Sequence, residues 1–89
     1  MSITRERTAE LCTEYGAGPQ DTGNTKVQIA VFTERIRNLT EHAKSNPKDH
    51  HSTRGLLMLV GKRRRLLNYL MSRDLEGYRT LIQQLGLRR

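Results

Sequence analysis

The chain has 89 residues, with 16 lysines and arginines against 9 acidic residues and a formal net charge of +7. Leu, Ile, Val and Phe supply 20 of the 89 residues, about 22%, so the core is thin and leaves little room for an enclosed catalytic pocket. The longest apolar run (56–60) is five residues, the opening residues lack a signal-peptide stretch, and the single Cys12 has no internal disulfide partner. Membrane-spanning, secreted and disulfide-stapled classes are therefore excluded, and a reducing cytoplasm is the expected setting.

Breakers divide the chain into four helical segments, and nothing alternates with the strand period of two. The first runs over about residues 4–15 and is expected to stop at Gly16 as a C′ residue. Residues 16–24 are rich in turn formers and read as a loop. Asn24 is a candidate N-cap for the second helix, with Thr25 and Gln28 as an alternative capping box. In this helix Ile29, Phe32, Ile36, Leu39 and Ala43 fall on one stripe, and Asn46-Pro47-Lys48-Asp49 ends it. The third segment, 50–73, is the longest, and Leu56, Leu59, Val60, Leu66, Leu67, Leu70 and Met71 share half of its wheel. Asp74 can cap the fourth segment, Leu75, Tyr78, Leu81, Ile82 and Leu85 repeat at helical spacing, and Gly86 ends it. The expected fold is all-α: three longer C-terminal helices packed as a bundle, with a less constrained N-terminal helix, in one domain spanning 1–89.

Charge is unevenly placed. Residues 1–44 balance six basic against six acidic groups, whereas 45–89 carry ten basic groups and only Asp49, Asp74 and Glu76. Such asymmetry points to a polyanionic partner on one part of the molecule. With Leu56 at zero on the third helix's wheel, Arg54, Arg65, Tyr69 and Lys62 lie at about 160–240°, opposite the apolar half. A tyrosine beside arginines suits an unstacked nucleotide and its phosphates, or else laps over the edge of the bundle. In the run Lys62-Arg63-Arg64-Arg65 the four side chains point four ways, and Arg63 and Arg64 must snorkel from the apolar half.

On the second helix Gln28, Arg35 and His42 are seven residues apart and form a line about 21 Å long beside the apolar stripe. At the next turn, Asp49-His50-His51-Ser52 lacks the spacing of a zinc site, and the chain has no nucleophile elbow or oxyanion loop for a hydrolase. An aspartate in a basic protein makes sense if it accepts from a base-edge donor. The shallow groove of an RNA helix offers the guanine amine, with neighbouring 2′-hydroxyls for Ser52 and His42. A DNA-reading third helix, or a protein-interaction bundle whose charge serves only solubility, are the alternative readings. No cofactor or metal is expected.

Asp21-Thr22-Gly23, Val27-Gln28, Leu39-Thr40-Glu41-His42, Lys48-Asp49-His50-His51-Ser52, Arg54-Gly55-Leu56-Leu57, Arg63-Arg64-Arg65-Leu66-Leu67-Asn68-Tyr69-Leu70 and Leu85-Gly86-Leu87-Arg88-Arg89 together resemble one family. It is the family of the fifteenth protein of the bacterial small ribosomal subunit, and the likeness runs from Asp21 to the end. The resemblance implies a non-enzymatic protein that binds small-subunit ribosomal RNA directly at a three-way junction of the central domain. It implies junction contacts by Thr22, Gly23, Gln28, Arg65 and Tyr69, and shallow-groove contacts to a G·U/G·C element by His42, Asp49 and Ser52. Arg35, Arg54, Lys62 and Arg64 are the expected phosphate contacts. Further implied partners are neighbouring platform proteins that assemble later and large-subunit ribosomal RNA at an intersubunit bridge. No membrane is among them, and the free protein is expected to be monomeric. At Asn24-Thr25-Lys26 the sequence departs from the family's usual Ser-Pro-Glu, and Lys26 sets a positive charge near the positive end of a helix.

Overall fold

A computed structural model describes residues 3–87, so Arg88 and Arg89 of the closing motif lie outside the described residues. Four α-helices account for the secondary structure there: α1 (Arg5–Tyr15), α2 (Thr25–Ser45), α3 (His50–Arg73) and α4 (Leu75–Leu85). Each start has a side-chain cap on the orphan amides of the first turn. Thr4 accepts from the amide of Arg7, Asn24 from Lys26, Asp49 from Ser52, and Asp74 from Gly77. The capping-box alternative is not used. Thr25 lies inside α2, and the Gln28 side chain turns instead to the preceding loop.

The two glycines that end helices do so differently. Gly86 adopts the left-handed conformation at φ 66°, and the Leu87 amide donates to the Ile82 carbonyl at 3.0 Å. Gly16 is extended at φ −124°, so the expected left-handed C′ geometry is absent. What Gly16 supplies is room: a Cβ there would sit 2.6 Å from Asp21 Oδ2 and 2.8 Å from Val27 Cγ2.

α2 and α3 form the main antiparallel pair, with Leu39 against Gly55, Thr33 near Arg63, and Lys26 near Asp74. α4 folds back over one end of that pair, where Tyr78, Leu81, Ile82 and Leu85 join Ile29, Ala30 and Leu70 in the core. The Arg37 guanidinium donates to the Leu85 carbonyl at 2.7 Å, satisfying the C-terminal end of α4. At 11 residues α4 equals α1 in length, so only α2 and α3 are the longer helices. α1 lies on α2, burying Leu11 and Cys12, and Arg7 clamps Glu34 with Nε to Oε2 at 2.6 Å and Nη2 to Oε1 at 3.3 Å. Lys26 is accommodated by an ion pair with Asp74 at 3.7 Å.

The apolar half-wheel expected for α3 is only partly buried. Leu59 and Leu70 are in the core, but Val60 is 37% and Met71 40% exposed, beside Leu57 at 67% and Leu75 at 45%. The core is concentrated where α1 and α4 cover α2 and α3, and only the α2–α3 pair continues toward the turn at 46–49. Leu57, Val60 and Met71 therefore leave an apolar strip along the flank of α3, where Val60, Leu67 and Met71 border an open groove toward Tyr78 of α4.

Candidate nucleic-acid interface

At the far end of the α2–α3 pair, three of the expected residues share one hydrogen-bonded group. Asp49 Oδ1 accepts from the Ser52 amide at 3.1 Å, while Oδ2 accepts from the Ser52 hydroxyl at 2.6 Å and from His42 Nε2 at 2.9 Å. These donors hold the Asp49 carboxyl well below the usual carboxylate range, the Ser52 hydroxyl contributing most and His42 next. A carboxylate has about four lone-pair positions. Three are occupied here, and one stays open to an outside donor. With Nε2–H committed to Asp49, the other ring nitrogen of His42, Nδ1, lies 3.4 Å from Asn46 Nδ2, which donates to the His42 carbonyl at 3.0 Å. Ser52 is buried and its hydroxyl is turned inward to Asp49, so its reach to a ligand is through the carboxylate. Asp49 is thus both helix cap and polar anchor. An aspartate immediately before a helical run is the signal for the capping role.

The other expected group lies where α2 begins. Gln28 Nε2 donates to the carbonyls of Thr22 and Gly23 at 3.4 and 3.3 Å, tethering the exposed loop to the helix. Across the pair, Gln28 and Phe32 of α2 share an open hollow with Lys62, Arg65 and Leu66 of α3. The antiparallel fold thereby brings Gln28 and Arg65 together from 37 residues apart in sequence. Tyr69, half exposed, stands further along α3 with the Arg73 guanidinium 5.3 Å from its ring centroid. Arg73 was not among the residues singled out from sequence, although an arginine four positions after an exposed tyrosine is the spacing that makes such a contact.

Ion pairing separates the cations further. Among the described residues, Arg7, Lys26, Lys44 and Arg79 take carboxylate partners, while Arg35, Arg54, Lys62, Arg64 and Arg65 take none. Unpaired guanidinium and ammonium groups are those with charge left for phosphate. Their placement differs, however. Lys62 and Arg65 face the Gln28 hollow, and Arg35 lies 5.9 Å over the Phe32 ring. Arg54 is exposed on the first turns of α3. Arg64 lies instead in the α3–α4 groove with Val60, Leu67 and Met71, away from the other four. Arg63 is partly buried, reaching Thr33 Oγ1 at 3.4 Å, and burial lowers its pKa from the ordinary arginine value. No group of three or more metal-ligating side chains occurs among the described residues, and no helix among them is long and apolar enough to cross a membrane.

Comparison with known proteins places the sequence among relatives. The sequence profile of the family described as Ribosomal protein S15 matches residues 8–88. The chain is 59% identical over 87 residues to the small ribosomal subunit protein uS15 of Borrelia hermsii, covering 98% of this chain and 99% of that one. To the protein of the same name from Treponema pallidum it is 55% identical over 89 residues, covering all of both chains. To that of Rickettsia bellii it is 57% identical over 89 residues, covering 100% of this chain and 98% of the other.

Proposed function

Because the chain belongs to the ribosomal protein S15 family, we propose that it is a non-enzymatic structural component of the small ribosomal subunit whose whole length acts as one RNA-binding unit. It binds small-subunit ribosomal RNA at a three-way junction of the central domain, and in doing so prepares the platform for later proteins. Thr22, Gly23, Gln28, Arg65 and Tyr69 meet the junction, and the His42–Asp49–Ser52 group meets a shallow groove containing a G·U/G·C element. Lys62 and Arg35 neutralise phosphates between these zones. Contact with large-subunit RNA at an intersubunit bridge belongs to the same reading.

The observation that carries it is the pairing of unlike surfaces at the two ends of one rigid helix pair. One end offers unpaired cations around Gln28, and the other offers a fully organised acceptor group around Asp49. Phosphate contacts supply affinity and position, whereas base-edge contacts carry sequence information. The acidic member would weaken a purely electrostatic RNA surface, and it gains meaning as an acceptor for a guanine amine.

The test is binding of the full chain to a minimal three-way-junction RNA over a range of salt concentrations. Arg65→Ala should weaken binding and flatten the logarithmic salt slope by roughly 0.7–0.9, the loss of one phosphate contact. Asp49→Ala should leave that slope unchanged and reduce discrimination between the G·U/G·C element and a plain duplex. If both variants bind as wild type does, these residue roles are wrong.

A further inference from the structure

A second hollow abuts the one that holds Lys62 and Arg65. It has a volume of about 240 Å³ and lies between α1, the 16–24 loop and α2. Val27 and Phe32 form its apolar floor, and Thr8, Thr22, Gln28 and Arg35 stand around it. No acidic side chain lines it. Gln28 and Phe32 also line the cationic hollow, so the two spaces share this pair of side chains.

We propose that this α1–α2 hollow is a subsite for one unpaired purine base of the bound RNA, whose phosphate lies in the adjoining Lys62–Arg65 hollow. The inference rests on the RNA-binding reading above and deepens it, because that reading brings Thr22 and Gln28 to the RNA without saying which part of it they hold.

Size and chemistry support it. A cavity of about 150 Å³ accommodates a benzene ring, so about 240 Å³ leaves room for the fused rings of a purine. Unpaired bases are characteristically held by stacking on aromatic rings and guanidinium planes. Phe32 and Arg35 both line the hollow, and with the guanidinium carbon 5.9 Å from the ring centroid they lie too close for a base between them, so the base stacks against one member of the pair. Gln28 spends its amide nitrogen on the loop carbonyls of Thr22 and Gly23, which fixes the side chain and leaves Oε1 to accept from an exocyclic amine. The Thr22 hydroxyl, on the exposed loop, is placed to serve a ring nitrogen or a 2′-hydroxyl at the mouth. The Thr8 hydroxyl donates to the Thr4 carbonyl at 3.0 Å, so α1 contributes a wall rather than a reading group. A base on one side of the Gln28–Phe32 ridge and a phosphate on the other is the arrangement of a nucleotide turned out of its stack.

The experiment uses the full chain and the same junction RNA, with each unpaired junction purine replaced in turn by 2-aminopurine. One position should lose fluorescence on binding as its base stacks in the hollow, and the others should not. Phe32→Leu, which keeps the floor apolar, and Thr8→Phe, which fills the space from the surface of α1, should each restore that fluorescence. Each should also weaken binding, in the range of roughly 5- to 100-fold typical of losing one stacked base. An abasic residue at the same position should weaken the wild type similarly and abolish the difference between wild type and Phe32→Leu. Arg65→Ala should weaken binding to intact and abasic RNA alike. Circular dichroism of both cavity variants checks that the helices remain. The proposal is overturned if the wild type binds the junction but no purine is quenched, or if Phe32→Leu and Thr8→Phe bind as wild type does. It is also overturned if the Phe32→Leu deficit persists undiminished on every abasic RNA. Failure of the wild type to bind the junction at all instead overturns the RNA-binding reading, and this subsite with it.

Discussion

Replacing Glu34 with glutamine should loosen α1 without unfolding the rest of the chain. Arg7 grips the carboxylate with two donors, Nε to Oε2 at 2.6 Å and Nη2 to Oε1 at 3.3 Å, and joins helices 27 residues apart in sequence. Buried bidentate pairs of this kind reach about 1.5–3 kcal/mol. Here the Arg7 side chain is 40% and that of Glu34 23% exposed, so solvent screening brings the value down to about 0.5–1 kcal/mol. That energy should appear as a roughly 2- to 5-fold larger opening constant for α1. Cys12 supplies the assay, because the only thiol of the chain is 0% exposed on the inner face of α1. Its labelling by a pyridyl disulfide under native conditions should accelerate 2- to 5-fold in Glu34→Gln, with a shallow urea dependence that marks local opening. Arg7→Met should match or slightly exceed this, since it also frees Glu10. Arg7 holds the Glu34 carboxyl below its ordinary value near 4.5. Its contribution is therefore present above that pH and lost as pH falls through the lowered value, so wild type and Glu34→Gln should converge only in stronger acid. An unchanged labelling rate, or labelling that follows global unfolding at every urea concentration, refutes the idea of a separately detachable helix.

Other expectations concern the bundle and the polar group at its far end. Gly86→Ala forces a Cβ into the left-handed region at φ 66° and should cost about 1–2 kcal/mol, read as a lower urea midpoint at constant slope. Ile29→Ala, at a side chain with 0% exposure in the centre of the core, should cost about 2–5 kcal/mol, a large part of the stability of a small domain, by the same measurement. The Asp49 carboxyl should remain ionised in carbon-detected NMR well below its ordinary pH of 3.8, and Ser52→Ala should raise its titration midpoint more than His42→Ala. The stabilisation it supplies is present above the ordinary value and disappears as pH falls through the lowered one.

Local chemistry made the helix ends legible. Asn24 and Asp74 cap the helices expected of them, and Gly86 stops α4 in the conformation that glycine permits. One antiparallel turn accounts for the meeting of Gln28 with Arg65, and of His42 with Ser52 around Asp49, because helical rise fixes which residues face each other. Features that depend on where helices lie relative to one another were less accessible. Nothing in the local pattern links Arg7 to Glu34 or Lys26 to Asp74, since those contacts exist only after packing. The wheel of α3 shows which side chains are apolar but not how far α4 reaches along it, and so Val60 and Met71 were assigned to a core that does not cover them. Gly16 was read for its backbone freedom, whereas its smallness is what the neighbouring Asp21 and Val27 require. Asp49 was read as part of the stop after α2 and as an acceptor for a base edge, although it also stands where a helix cap belongs.

The uncovered apolar strip along α3 sets two demands on salt against each other. At net charge +7, copies of the free protein repel in dilute buffer, and Leu57, Val60 and Met71 are kept from meeting their counterparts. At about 1 M salt the Debye length falls to roughly 3 Å and that repulsion is gone. The conditions that free a basic protein from a polyanion are thus the conditions in which its strip becomes adhesive. Strongly excluded anions such as sulfate deepen the effect by strengthening apolar burial. Colloidal stability of the free chain therefore depends on a repulsion that its polyanionic partner itself abolishes, so solubility passes from charge to assembly as soon as the partner is bound.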